Sequence, residues 1–250
     1  MNENGLTLVK KPKRKTIHKL IIGLVVAAVL GLRIYFGITE CSVTNIEIRG
    51  NHTYSDAEII REMKKQDYVP NTLVMLAQNR IFKQTYLPFI ENVTMSFKNP
   101  HVLRIRVKEK LRPGVLEYMN KNVYFDSEGS VVESRNQRFE GVPLVTGLNL
   151  KEMVLGKKLK VSQKQLNTIV SITKKIATYK LDISEIRFDG EDDITLISGD
   201  YEIYLGDSDC LDGKMSKIPQ LLEAVAKEGK KGVIDMHLYT DEKNIITYRK

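Results

Sequence analysis

The chain has 250 residues with 39 Lys and Arg against 31 Asp and Glu, a formal net charge of +8, and room for one or two domains at ~100–200 residues each. The excess is local: Lys10, Lys11, Lys13, Arg14, Lys15, Lys19 and Arg33 stand against Glu3 alone in the first 33 residues. The rest is close to neutral and lacks the broad basic footprint of a nucleic-acid binder. Two cysteines, Cys41 and Cys210, allow at most one disulfide and specify no zinc site, and they are read as unpaired thiols.

Residues 1–19 form a polar, basic tail too short for a cytoplasmic signalling or DNA-binding domain. The apolar run 20–38 is broken only by Arg33, and as a helix it spans roughly 28 Å, close to the hydrocarbon thickness of a bilayer. Arg33 lies near the far end, where it can snorkel, and Tyr35 and Phe36 suit an interfacial belt. The basic cluster before the run predicts a cytoplasmic N-terminus and a single-pass type II topology. The rival, a cleaved signal peptide, needs small residues where Arg33-Ile34-Tyr35-Phe36 stand, and Glu40 before Cys41 makes a poor lipoprotein site.

Past the anchor, Val43, Ile46 and Ile48 predict a strand ending at Gly50-Asn51. Ser55-Asp56-Ala57-Glu58 reads as a capping box, followed by Ile59, Ile60 and Met63 at helical spacing. A second helix is expected from Pro70-Asn71-Thr72, with Leu73, Leu76, Ala77 and Ile81 as its apolar face. Val93-Met95-Phe97 and Leu103-Ile105-Val107 alternate on either side of Asn99-Pro100 and predict a hairpin. Its polar stripe, Arg104, Arg106 and Lys108, is read first as a solvated edge and second as a partner surface. The order is β-α-α-β-β, and Arg112-Pro113-Gly114 marks a boundary with little interdomain freedom.

The second part reads as short strands at Val115–Met119, Asn122–Phe125, Ser130–Glu133 and Val142–Val145. A helix is expected at 162–180 under Ser162, with Leu166, Ile169, Val170, Thr173 and Ile176 on one face. Strands follow at Ile183–Phe188, Ile194–Ile197 and Glu202–Leu205. A helix at about 211–228 contains Pro219, which should kink it or delay its start. Gly232–Tyr239 and Asn244–Tyr248 are expected to close the chain as a hairpin turning at Thr240–Lys243. The fold class is α+β: a membrane helix, a β-α-α-β-β domain, and a β-rich domain with two helices.

The string Ile46-Glu47-Ile48-Arg49-Gly50-Asn51, with Tyr54-Ser55 and Glu58-Ile59, resembles the opening of a POTRA domain, and Pro100 before Leu103–Glu109 resembles its close. Asp126-Ser127-Glu128-Gly129, Pro143-Leu144-Val145-Thr146-Gly147, Leu205-Gly206 before a helix with Lys217 and Leu221, and Val233-Ile234-Asp235-Met236 follow in an order similar to the bacterial division family FtsQ/DivIB. The resemblance implies a tail at 1–19, a span at 20–38, a POTRA domain at 41–111 and a β-domain at 112–250.

It also implies a non-enzymatic divisome scaffold at the septum. Such a protein binds small bitopic coiled-coil proteins of the FtsB/DivIC and FtsL kinds and indirectly helps control the septal peptidoglycan synthase. In the family the partner adds a strand to the edge formed by the last strands. Here that edge is expected at Ile245, Ile246, Thr247 and Tyr248, with Tyr239 on the preceding strand, because only two residues follow Tyr248. The same residues have a blander reading, since Ile245 or Ile246 must face the core in any case. No cofactor is expected: His18, His52, His101 and His237 form no metal-ligand pair, and no phosphate loop or nucleophile elbow is present in the sequence. The alternatives are a membrane-anchored cell-wall enzyme and a POTRA-type chaperone or secretion component.

Overall fold

A computed structural model describes residues 14–65, 70–81, 87–227 and 231–249; tail residues 1–13 lie outside the described residues. Helix α1 (Arg14–Glu40) contains a stretch, Ile17–Gly37, long and apolar enough to cross a membrane, with mean hydropathy 2.3. It starts before the expected Leu20 because Arg14, Lys15 and Lys19 are good helix formers and extend it.

The chain divides into two compact units, Met1–Arg49 with Ile60–Gln84 and Val93–Arg106, and Gly50–Ile59 with Thr85–Asn92 and Val107–Lys250. After α1 come β1 (Asn45–Arg49), α2 (Asp56–Lys64), α3 (Thr72–Ile81), β2 (Ile90–Asn99) and β3 (Val102–Glu109). These give the expected β-α-α-β-β order. The strands form a sheet in the order β1-β3-β2, with β1 parallel to β3. The capping box is present: Ser55 N–H donates to Glu58 Oε2 at 3.0 Å, and Glu58 N–H donates to Ser55 Oγ at 3.3 Å.

Helix α3 corrects the expected apolar face. Leu73 is 42% exposed and Ala77 is exposed, whereas Thr72 and Met75 are buried at 0% and 4%. The reason lies at the helix start. Asn71 Oδ1 accepts from the N–H groups of Leu73 and Val74, and Thr72 Oγ1 shares its proton between the carbonyls of Pro100 at 2.9 Å and Cys41 at 3.2 Å. That anchorage turns Thr72 and Met75, three residues apart, inward. Of the hairpin, Met95, Leu103 and Ile105 are buried, but Phe97 is 44% exposed. β3 is the central strand, so its basic stripe lies on a sheet face and not on an edge.

The second unit is built on a nine-stranded sheet among the described residues. Its strands are β4 (Val115–Tyr118), β5 (Lys121–Phe125), β6 (Val131–Arg135), β7 (Leu144–Thr146), β8 (Glu185–Phe188), β9 (Ile194–Ser198), β10 (Tyr201–Gly206), β11 (Gly232–Asp235) and β12 (Thr247–Arg249). The spatial order is β12-β11-β10-β9-β8-β7-β4-β5-β6. The two helices are α4 (Gln163–Tyr179), capped by Ser162, and α5 (Leu211–Lys227), which runs through Pro219 without a delayed start.

Register sets the faces of this sheet. Val145, Ile186, Leu196, Ile203, Ile234 and Tyr248 form one cross-strand row from β7 to β12. That row meets Leu166, Ile169, Ile172 and Ile176 of α4 and Met215 and Ile218 of α5 in the core. Gly147 closes β7 at φ +76, and a Cβ there would lie 1.7 Å from the Phe188 carbonyl oxygen.

Candidate partner-binding edge

The two ends of the nine-stranded sheet differ. At β6, Val131 N–H donates to Lys157 O at 2.9 Å, Gly156 N–H donates to Val131 O at 2.8 Å, and Ser130 bridges Lys158. Further along, Tyr54 Oη donates to Glu133 at 2.7 Å, and Arg135 pairs with Glu58. The Arg135 guanidinium also lies 4.5 Å from the centre of the Phe139 ring. The chain's own segments 50–59 and 153–158 therefore occupy that end. The other end is β12, antiparallel to β11 through Asp235–Thr247, Ile234–Tyr248 and Val233–Arg249.

The closing hairpin is shorter than expected, with ladder pairs only at 233–235 and 247–249. Thr240 and Lys243 exchange backbone hydrogen bonds at the expected turn, but the segment between the strands is irregular. Two contacts bend it out of the ladder. The Asp235 carboxylate accepts from His237 N–H at 3.2 Å and from His237 Nδ1 at 2.5 Å. Tyr239, at 6% exposure, lies against Gly213 of α5, where a Cβ would come 2.7 Å from its ring.

The five sequence-predicted residues therefore separate. Tyr239 is a core side chain outside any strand. Ile245 and Ile246 also precede the strand, with Ile245 44% exposed and Ile246 packed on the core. Thr247 and Tyr248 are in β12: Thr247 is exposed, and Tyr248 continues the inner row.

Residues the sequence reading did not select hold this edge in place. Asp235, 6% exposed, accepts from Arg249 at 2.6 Å, so one carboxylate ties β11 to β12 and to the following loop. Burial works to raise its pKa, but the hydrogen bonds from His237 and the charges of His237 and Arg249 outweigh this and hold it below the usual value. On the outer face, Arg187, Thr195, Tyr204, Asp235 and Thr247 form one cross-strand row, and Glu185, Ile197, Glu202, Val233 and Arg249 the next. Thr195, Glu202, Tyr204, Val233 and Arg249 line a shallow groove of about 400 Å³ beside the edge. The sequence signal for this arrangement is an aspartate inside a strand, a position where Asp is depleted unless something pairs it.

Two family descriptions match the chain in succession: "POTRA domain, FtsQ-type" over residues 41–110, and "FtsQ/DivIB, C-terminal related" over residues 115–234. A cell division protein DivIB from Clostridium botulinum strain Loch Maree is 24% identical over 239 residues, covering 90% of both chains. A cell division protein FtsQ from Novosphingobium aromaticivorans is 26% identical over 160 residues, covering 56% of this chain and 49% of that one. Among solved structures, the major extracytoplasmic domain of DivIB from Geobacillus stearothermophilus is 18% identical. That match covers 49% of this chain and 99% of that one with a TM-score of 0.30.

Proposed function

Because this chain belongs to the FtsQ/DivIB family of bacterial cell-division proteins, we propose that it is a divisome scaffold that binds small bitopic coiled-coil partners of the FtsB/DivIC and FtsL kinds by strand addition at β12. Through that complex it helps regulate septal peptidoglycan synthesis and does no covalent chemistry of its own; its relatives are named as cell division proteins and not as enzymes. In this reading the tail 1–19 is cytoplasmic, 20–38 spans the membrane, and a POTRA domain at 41–111 and a β-domain at 112–250 lie outside. The basic cluster before the span supports that orientation.

The observation that carries the reading is the asymmetry of the sheet. Its β6 end is occupied by the chain's own segments, and β12 is the terminal strand at the other end. A terminal strand presents main-chain donors and acceptors to an incoming extended segment. Of the expected residues, exposed Ile245 and Thr247 would then contact the docked strand, while Ile246 and Tyr248 pack on the core that also holds Tyr239.

The test is capture of the host's small coiled-coil division proteins by the full chain in detergent, with Thr247→Pro and Tyr248→Pro alongside. Consecutive amides of a strand point to opposite sides, so one of these prolines removes an outward donor and the other a β11 ladder donor. Capture by wild type, lost in a folded proline variant, supports strand addition. Capture that survives both prolines moves the interface elsewhere. Release of peptidoglycan fragments by the purified chain would favour the enzyme alternative, and competition by unrelated unfolded peptides the chaperone one.

A further inference from the structure

The basic stripe on β3 has no role in strand addition at β12. Glu47 on β1 pairs in register with Arg104, and Arg49 with Arg106. Because side chains alternate along a strand, all four share one face of the first sheet, opposite the buried Leu103 and Ile105. Lys98 of β2 joins them, 2.6 Å from Glu47, while Arg104 and Arg49 lie 3.4 and 4.0 Å from the same carboxylate. Three cations therefore surround one acid, and Arg106 adds a fourth positive charge to the same face. Lys98 holds the Glu47 carboxyl below its ordinary pKa, chiefly through its hydrogen bond, with Arg104 adding to the effect. Arg49 and Arg106 stand directly opposite each other and both are exposed. A like-charge pair in that position is unfavourable unless an anion lies over it.

The same unit places this face close to the span. The segment after α1 is bound to the sheet's near end: Thr72 N–H donates to Cys41 O at 2.9 Å, Val43 N–H to Pro70 O at 3.0 Å, and Thr44 and Asn45 N–H to His101 O at 3.0 and 3.3 Å. Thr72, fully buried, joins the Cys41 and Pro100 carbonyls. β1 and β3 both start at this end. Arg49 and Arg106 are four residues into their strands, at most about 13 Å further from the span at ~3.3 Å per residue, and arginine side chains bridge several ångström of that.

We infer that this face, Arg49, Lys98, Arg104 and Arg106, binds anionic lipid headgroups of the bilayer that holds α1. The inference rests on α1 being a membrane span. Charge complementarity and the short connection between span and sheet identify the occupant. Basic groups within about a Debye length (~8–10 Å) of an anionic leaflet are attracted to it, and salt screens the attraction.

The experiment uses the full chain in nanodiscs, with Cys41→Ser and Cys210→Ser and a fluorophore on Ser96→Cys of β2. Quenching by headgroup spin-labelled lipid is compared between phosphatidylcholine and phosphatidylcholine mixed with phosphatidylglycerol. Expected is stronger quenching with the anionic lipid, lost in molar salt. Arg49→Gln with Arg106→Gln should lower the engaged-to-free ratio on the order of tenfold, from the few-fold that each basic residue near an anionic surface contributes. Lys121→Gln with Lys157→Gln, the same charge loss on the second unit, should leave the ratio unchanged. Quenching blind to lipid charge, or a response that survives loss of both arginines or falls equally with both lysines, overturns the inference. Flotation of the chain with neutral vesicles reports the span separately. Failure there removes the premise and the inference together, whereas normal flotation with charge-blind quenching removes the inference alone.

Discussion

Asp235→Asn separates the contribution of the edge clamp from that of the ladder it holds. The Asp235 carboxylate is buried and accepts from His237 N–H, His237 Nδ1 and Arg249 at 3.2, 2.5 and 2.6 Å. A hydrogen bond to a charged group contributes about 1.5–3 kcal/mol. The Arg249 side chain is 63% exposed, so its share is discounted to the ~1 kcal/mol or less of a surface pair. Asparagine keeps one acceptor but turns an NH₂ donor toward a neighbouring donor. The expected loss is about 2–3 kcal/mol, read as a lower urea midpoint for the second unit of the full chain in detergent, with weaker partner capture. The pH dependence follows from the lowered folded pKa. The clamp's stability is fully present above the unfolded value of about 3.9 and is lost as pH falls through the folded value, so wild type and variant converge in acid. Equal midpoints at neutral pH, or a gap that persists in strong acid, would refute this reasoning, as would an Arg249→Gln loss equal to that of Asp235→Asn.

Other expectations come from single contacts. Gly147→Ala places a Cβ 1.7 Å from the Phe188 carbonyl oxygen at φ +76, so more than about 4 kcal/mol is lost and the soluble yield of the variant should collapse. Tyr54→Phe removes the 2.7 Å bond to Glu133 and leaves Phe89 N–H without its 3.5 Å acceptor, a loss of about 1–2 kcal/mol by urea titration. Burial, the Glu133 hydrogen bond and its charge raise the Tyr54 pKa. Wild type should therefore lose stability above pH ~10, where the unfolded tyrosine ionises, and the phenylalanine variant should lose less. Thr72→Val leaves the Pro100 carbonyl without its 2.9 Å donor. It should cost about 1–3 kcal/mol and speed amide exchange at Thr44 and Asn45.

Much of the fold was legible because its signals are local. The apolar run of α1, the Ser55/Glu58 box, the Ser162 cap, and the period-2 runs of β3 and β10 each lie within a few residues, where backbone geometry and side-chain alternation act directly. The inward face of α3 was not legible, because the Cys41 and Pro100 carbonyls set it through Thr72. Tyr239 was not either: it reads as a strand residue until Gly213, on a helix distant in sequence, is seen to provide the slot it fills. The last strand was expected at Asn244–Tyr248 but is shorter and starts three residues later, at Thr247, because Asp235 ends the β11 ladder through His237. Composition and pattern determined the apolar helix, the β-α-α-β-β order and the α+β class. Tertiary structure alone decided that β6 is covered, that β12 is terminal, and that four basic residues from three strands share one face. Those facts depend on register between segments far apart in sequence, which no local period encodes.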